Sequence, residues 1–333
     1  MNVLDFLPVL VISAGAFLLI KLRFFFILHP LRCFKELKRS LSSVGAFSSL
    51  MLSLSGTLGV GNIVGVAYGI SIGGAGSVFW LLVSALFSSV LKFAESAISS
   101  DMKDTERGGI MYVIKRSFKG RFRKLSFLYA ALCLMLSLTM GSALQARSAI
   151  ESLSVSPLHT QALCALCFTV AVAAVILGGS EKIVKASSVM IPLASVIYTI
   201  LTLSVIIINI EKLPSVISLI FTSAFNFKAG AGGVGAFFIS SAIREGFSRG
   251  LLSNEAGAGT SSIAHARNQN SSAVSVGLVG MCEVFFDTVV LCTLTAFAVL
   301  LSGASTAAGL SGIEIVSKAL SCIGVFSTPL LSF

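Results

Sequence analysis

Eight apolar runs, each near the length of a bilayer crossing, set what this chain can fold into. They cover about residues 3–20, 44–71, 75–99, 125–150, 158–177, 187–209, 235–251 and 274–303. A transmembrane helix needs roughly 20 apolar residues. Charged residues make up 11% of the 333 residues, against roughly 25% in a soluble domain. These features exclude a soluble enzyme, a disordered chain and a coiled coil. They leave an all-α polytopic membrane protein. The apolar tail at 319–333 is too short for a ninth span.

The first run reads as a retained helix. It carries Asp5 where a signal peptide has basic residues, and its charges, Lys21 and Arg23, follow it. Lys and Arg then alternate sharply between loops. Residues 21–43 carry Lys21, Arg23, Arg32, Lys35, Lys38 and Arg39, whereas 71–75 carry none. Residues 100–124 carry Lys103, Arg107, Lys115, Arg116, Lys119, Arg121, Arg123 and Lys124, whereas 151–158 carry none. Lys182 and Lys185 fall in a loop at 178–186. Positive charge marks the cytoplasmic side, so the N-terminus is placed outside and the chain in the cytoplasmic membrane. The net charge of +10 is thus an orientation signal shared with anionic headgroups, and no nucleic-acid partner is expected. The seven cysteines lie mostly in apolar stretches. Cys164-x-x-Cys167 lacks the second pair that a zinc site needs, and the cysteines read as packing residues.

Two runs are interrupted. The second contains Gly56-Thr57-Leu58-Gly59-Val60-Gly61-Asn62-Ile63-Val64-Gly65. Glycine costs about 1 kcal/mol in a helix interior. Gly65 and Gly69 fit close helix packing. Gly59 to Asn62 fit an unwound stretch at the midplane, where freed backbone groups must line a cavity or be buried in protein. Transporters build substrate and ion sites from such broken helices. The seventh run, Ser240-Ser241-Ala242-Ile243-Arg244-Glu245-Gly246-Phe247-Ser248-Arg249-Gly250, predicts a second break near 244–250, as an inverted repeat requires. Gly246-Phe247-Ser248-Arg249-Gly250 also matches the G-x-S-x-G hydrolase elbow. That motif needs a strand before it and an acid ahead of the His. Here a membrane helix precedes it, and His265 comes before Asp287, so an intramembrane hydrolase is a remote alternative.

Five ordered motifs carry a family resemblance. They are Gly59-Val60-Gly61-Asn62-Ile63-Val64-Gly65-Val66-Ala67; Gly73-Gly74-Ala75-Gly76-Ser77-Val78-Phe79-Trp80 with Lys92-Phe93-Ala94-Glu95; Gly108-Gly109-Ile110-Met111-Tyr112; Arg249-Gly250-Leu251-Leu252-Ser253-Asn254-Glu255-Ala256-Gly257-Ala258-Gly259; and Asp287-Thr288-Val289-Val290-Leu291-Cys292-Thr293. Together they resemble the signature of the alanine/glycine:cation symporters. The resemblance implies a LeuT-like five-plus-five inverted-repeat fold. Residues 1–22 would form an extra N-terminal helix, 44–209 the first five-helix repeat, and 235–333 a partial second repeat of core helices 6, 7 and a stub of 8. It implies symport of alanine or glycine with Na+ by alternating access, in a monomer, with no cofactor beyond that coupling ion. By the same resemblance Thr57, Gly59, Gly61, Gln145, Glu245 and Gly246 would contact substrate. Ser55, Leu58 and Asn62 would contact sodium, the first two through backbone carbonyls.

The sequence also departs from that pattern. Val60, Ile110, Arg147 and Glu245 stand where the family has Thr, Pro, Asn and Trp. Either Arg147 and Glu245 meet as a compensating ion pair, or Arg147 reaches the outer interface and Glu245 pairs with Arg244, Arg249 or a substrate ammonium. Lys92 and Glu95, one turn apart, are expected to pair locally. Asp287, a charge in mid-span, is expected to be hydrogen-bonded by Thr288 or the Ser253-Asn254 segment, or to lie on the cation path. The sequence stops at Phe333, ahead of the helices that would complete the sodium site. The competing expectation is therefore a truncated relative that inserts but does not transport.

Overall fold

The computed structural model describes residues 3–42, 44–102, 108–152, 158–225, 240–266, 272–306, 309–310 and 312–324. Every regular element in them is helical. Five helices are long and apolar enough to cross a membrane, or six when one bent pair counts as a span; the shorter apolar helix Phe6–Lys21 adds to these. The count falls below the eight sequence runs for a local reason. The seventh run enters the described residues only at Ser240, and its helix is 14 residues long.

Helix α1 (Val3–Lys21) leads to the amphipathic α2 (Pro30–Leu41). Pro30 sits in the first turn, where its missing N–H leaves no bond unmade. α3 (Val44–Thr57) and α4 (Val66–Gly73) are the halves of the broken span, with a π-turn at Gly61–Gly65 between them. Gly74, at φ 72°, turns the chain into α5 (Gly76–Asp101). Then come α6 (Ile110–Ser117), α7 (Leu125–Leu136), α8 (Ala143–Ser152), α9 (Leu158–Ile176), α10 (Gly179–Ile208) and α11 (Leu213–Ala224). The second half brings α12 (Ser241–Asn254), α13 (Ser261–His265) and α14 (Ala273–Val284). A π-helical stretch, Phe285–Cys292, links α14 to α15 (Thr293–Leu301), and α16 (Gly312–Leu320) closes the described chain.

α5 is the hub of the packing, and two helices grip it through glycines. A Cβ on Gly246 of α12 would lie 2.6 Å from Ser77 O, and one on Gly277 of α14 would lie 2.7 Å from Phe93 Cδ2. Small residues let membrane helices approach this closely, which supplies dispersion where no hydrophobic force acts between helices. By contrast, the helices over Gly120–Ser152 and His159–Ile176 bury none of their most apolar stretch.

Two sequence expectations need correction here, and one dismissal is upheld. The break near 244–250 does not exist: α12 is helical throughout Ser241–Asn254, and its glycines serve packing on α5. The chain breaks after it instead, where Glu255 turns left-handed at φ 52°. Lys182 and Lys185 lie inside α10, because Gly179 at φ 77° lets α10 start at once. Lys182 Nζ donates to Ala174 O at 2.9 Å, satisfying a carbonyl of the last turn of α9. Finally, Gly246-x-Ser248-x-Gly250 lies within one helix, with Ser248 buried and its Oγ unbonded. No nucleophile elbow forms.

Candidate functional site

The α3–α4 break is a 55° bend between Gly45–Thr57 and Gly61–Gly73. Its local bonds explain why it holds. Leu58 N donates to Leu54 O at 2.7 Å and ends the α-helical ladder of α3. Gly59 N donates to Asn62 Oδ1 and Asn62 N to Gly59 O, each at 3.1 Å. The Asn62 side chain thus takes an amide that a continuous helix would have bonded internally.

The other end of Asn62 reaches across the bundle. Its Nδ2 donates to Ser253 Oγ at 2.9 Å, Asp287 Oδ1 at 2.7 Å and Asp287 O at 3.0 Å. Asp287 also accepts from Ser253 Oγ at 2.6 Å and Thr288 Oγ1 at 2.8 Å. A carboxylate at that depth is costly without such donors. The hydrogen-bonded role expected for Asp287 is what the structure shows, and the network ties the break to the end of α12 and to the π-helical stretch.

Beside the break lies a cavity of about 290 Å³. Leu58, Gly59, Val60 and Asn62 form one wall; Gln145 and Ser148 of α8, Phe168 of α9, and Ser195 and Tyr198 of α10 stand among the others. Gly59 and Gln145 touch: a Cβ on Gly59 would lie 3.2 Å from both Cδ and Oε1 of Gln145. Glycine leaves room there for the Gln145 amide to lie against the backbone at the cavity's edge. The Tyr198 hydroxyl is fixed by Thr295 Oγ1 at 2.6 Å.

The residues that the resemblance assigns to substrate and sodium divide into two groups. Leu58, Gly59, Asn62 and Gln145 line the cavity. Thr57 is buried next to it in sequence, with no hydrogen-bond partner for Oγ1 among the described residues. The others do not line it. Ser55 Oγ donates to Leu52 O of its own helix at 2.6 Å. Gly61 packs against α12, where its Cβ would lie 3.3 Å from Ser253 Cα. Gly246 faces α5, and the Glu245 carboxylate is taken by Arg249 Nη2 at 2.9 Å and Arg244 Nε at 3.5 Å.

The pairing of Glu245 with Arg244 and Arg249 is the alternative that the sequence left open, whereas the Arg147–Glu245 and Lys92–Glu95 pairs do not form. Arg147 does not meet Glu245: it lies exposed and pairs with Glu151 one turn on, Nε to Oε1 at 2.7 Å. Its place two positions from Gln145 turns it away from the cavity. Lys92 does not pair with Glu95. It is fully buried, with Nζ at 3.2 Å from Glu283 Oε1 and donating to Asn254 O at 2.6 Å. Glu283, in the run 274–303, carries the same mid-span signal that singles out Asp287, yet only Asp287 is named from the sequence.

The profile of the sodium:alanine symporter family matches residues 2–333. An uncharacterized transporter of Haemophilus influenzae is 33% identical over 94% of this chain and 70% of its own length. A sodium/alanine symporter of Methanococcus maripaludis is 33% identical over 92% of this chain and 70% of its own. A sodium/proton-dependent alanine carrier protein of Bacillus sp. (strain PS3) is 33% identical over 80% of this chain and 59% of its own. This chain therefore spans 59–70% of the length of those relatives. With its bent helix, its cavity at the bend and its apolar spans, the chain belongs to the sodium:alanine symporter family of multi-pass membrane transporters.

Proposed function

We propose that this protein couples Na+ entry to the uptake of a small neutral amino acid, alanine or glycine, by alternating access in the cytoplasmic membrane. The carrying observation is the cavity at the α3–α4 break, with Gln145 against Gly59. In this reading the substrate carboxylate meets the first amides of the half-helix that begins at Gly61, where the helix dipole is positive. The Gln145 amide supplies the opposing polar contact. Thr57 Oγ1, buried and unbonded, supplies a third. Carbonyls of Ser55 and Leu58, at the open C-terminal end of α3, together with Asn62, hold Na+. Residues 44–209 act as one five-helix repeat and 235–333 as part of a second, with the N-terminus outside.

The test is uptake of labelled alanine into proteoliposomes, with Na+ outside or replaced by choline. Uptake that requires Na+ supports the reading. Alanine uptake indifferent to that replacement removes Na+ as the coupling ion.

A further inference from the structure

Glu283 gathers four helices at a point outside the cavity. Its carboxylate is fully buried, and its two oxygens divide the work. Oε1 takes Lys92 Nζ of α5 at 3.2 Å. Oε2 takes Ser53 Oγ of α3 at 2.6 Å and His265 Nε2 of α13 at 3.2 Å. α5 and α14 are already locked together by the Gly277 and Gly280 contacts, so the Oε1 pair lies within a fixed frame. The Oε2 contacts bind the two elements that flank breaks: α3 before its bend, and α13 after the turn at Glu255.

The position is specific. Ser53 lies between the basic end of α2, with exposed Lys38 and Arg39, and the bend. The cavity wall starts beyond it, at Leu58. The ties at Oε2 therefore stand between the cavity and the side that carries the basic loops. A buried ion pair contributes little net stability compared with apolar residues of the same shape, so stability alone is a poor reason for this cluster. Ser53 and His265 can each part from Oε2 without stranding the Lys92–Glu283 pair.

We propose that Glu283 Oε2 is an inner latch. Ser53 and His265 dock on it when the cavity is shut toward the basic loops, and they leave it when that path opens. Glu283 is thus a positioning residue for transport, and the inference rests on the transport reading above.

Amide hydrogen exchange by mass spectrometry, on the whole chain in lipid nanodiscs, tests it. Ser53→Ala with His265→Leu removes both ties, since neither new side chain can donate, and leaves Lys92–Glu283 intact. Ser49→Ala, whose hydroxyl bonds its own helix at Ala46 O, is the control. Without substrate, the double variant should exchange about tenfold faster in α3 and α13, the loss that one net buried hydrogen bond brings, with α5 and α14 unchanged. Unchanged exchange in α3 and α13, or a uniform rise across all helices, overturns the latch. Glu283→Gln also strands the buried Lys92 ammonium and should loosen α5 and α14 together with α3 and α13; a rise in α5 and α14 alone also overturns it. Alanine with Na+ should slow exchange at the bend of the wild type. If alanine changes nothing there while the variants still loosen α3 and α13, the transport reading fails, and the ties at Oε2 hold the fold without serving as a latch.

Discussion

Replacing Asp287 by Ala removes a carboxylate that accepts from the bend, while Asn62 Nδ2 keeps Ser253 Oγ and the main-chain oxygen of residue 287. Three donors lose the carboxylate: Asn62 Nδ2, Ser253 Oγ and Thr288 Oγ1. Each is buried. Hydrogen bonds between membrane helices average about 0.6 kcal/mol, since the unfolded chain in the membrane finds other partners. Two of the three, from Asn62 and Ser253, cross between elements and give a floor of about 1 kcal/mol. Bonds to a charged acceptor are worth about 1.5–3 kcal/mol each, but relief from burying the charge offsets much of that. We expect a loss of about 1–4 kcal/mol. Asp287→Asn should cost less, because the hydroxyls of Ser253 and Thr288 can turn to accept from the new amide. The assay is reversible unfolding of the purified chain in mixed detergent micelles, titrated with SDS. An Asp287→Ala protein as stable as wild type, or an Asn variant worse than Ala, would refute the argument that this carboxylate is held by donors.

Further outcomes follow from the same geometry. Gln145→Ala and Thr57→Val should each weaken sodium-dependent alanine binding by about 1–3 kcal/mol, the cost of an unpaired buried partner, measured by scintillation proximity on purified protein. Gly59→Val should displace the Gln145 amide and reduce binding further, with the far-ultraviolet circular dichroism unchanged. Gly246→Leu overfills the α5–α12 contact and should lower stability by at least about 1–3 kcal/mol, read in the SDS titration. Arg147→Gln, on an exposed pair, should leave both binding and stability within error of wild type.

The sequence carried the bend because glycine and asparagine are poor choices for a membrane helix unless backbone groups are freed there. It misplaced the second break because the same residue answers two needs. Gly246 and Gly250 look like helix breakers, yet they are small so that α5 can approach. The real turn, at Glu255, is flanked by Gly257 and Gly259 at φ 86° and 77°. Those glycines stand in the Asn254–Gly259 motif, where two glycines just past a helix are the sign of its C-terminal turn. Partners distant in sequence were the least legible. Spacing offered Lys92 only Glu95, whereas the fold brings Glu283 and the Asn254 carbonyl to it. Gln145 reached the cavity, while Arg147, two residues on, turned outward, as helical geometry requires.

A structure of the chain solved with saturating alanine and Na+ tests the central claim most directly. Alanine should lie in the cavity lined by Gly59 and Gln145, its carboxylate against the amides that start the half-helix at Gly61. Alanine bound outside that cavity would contradict it.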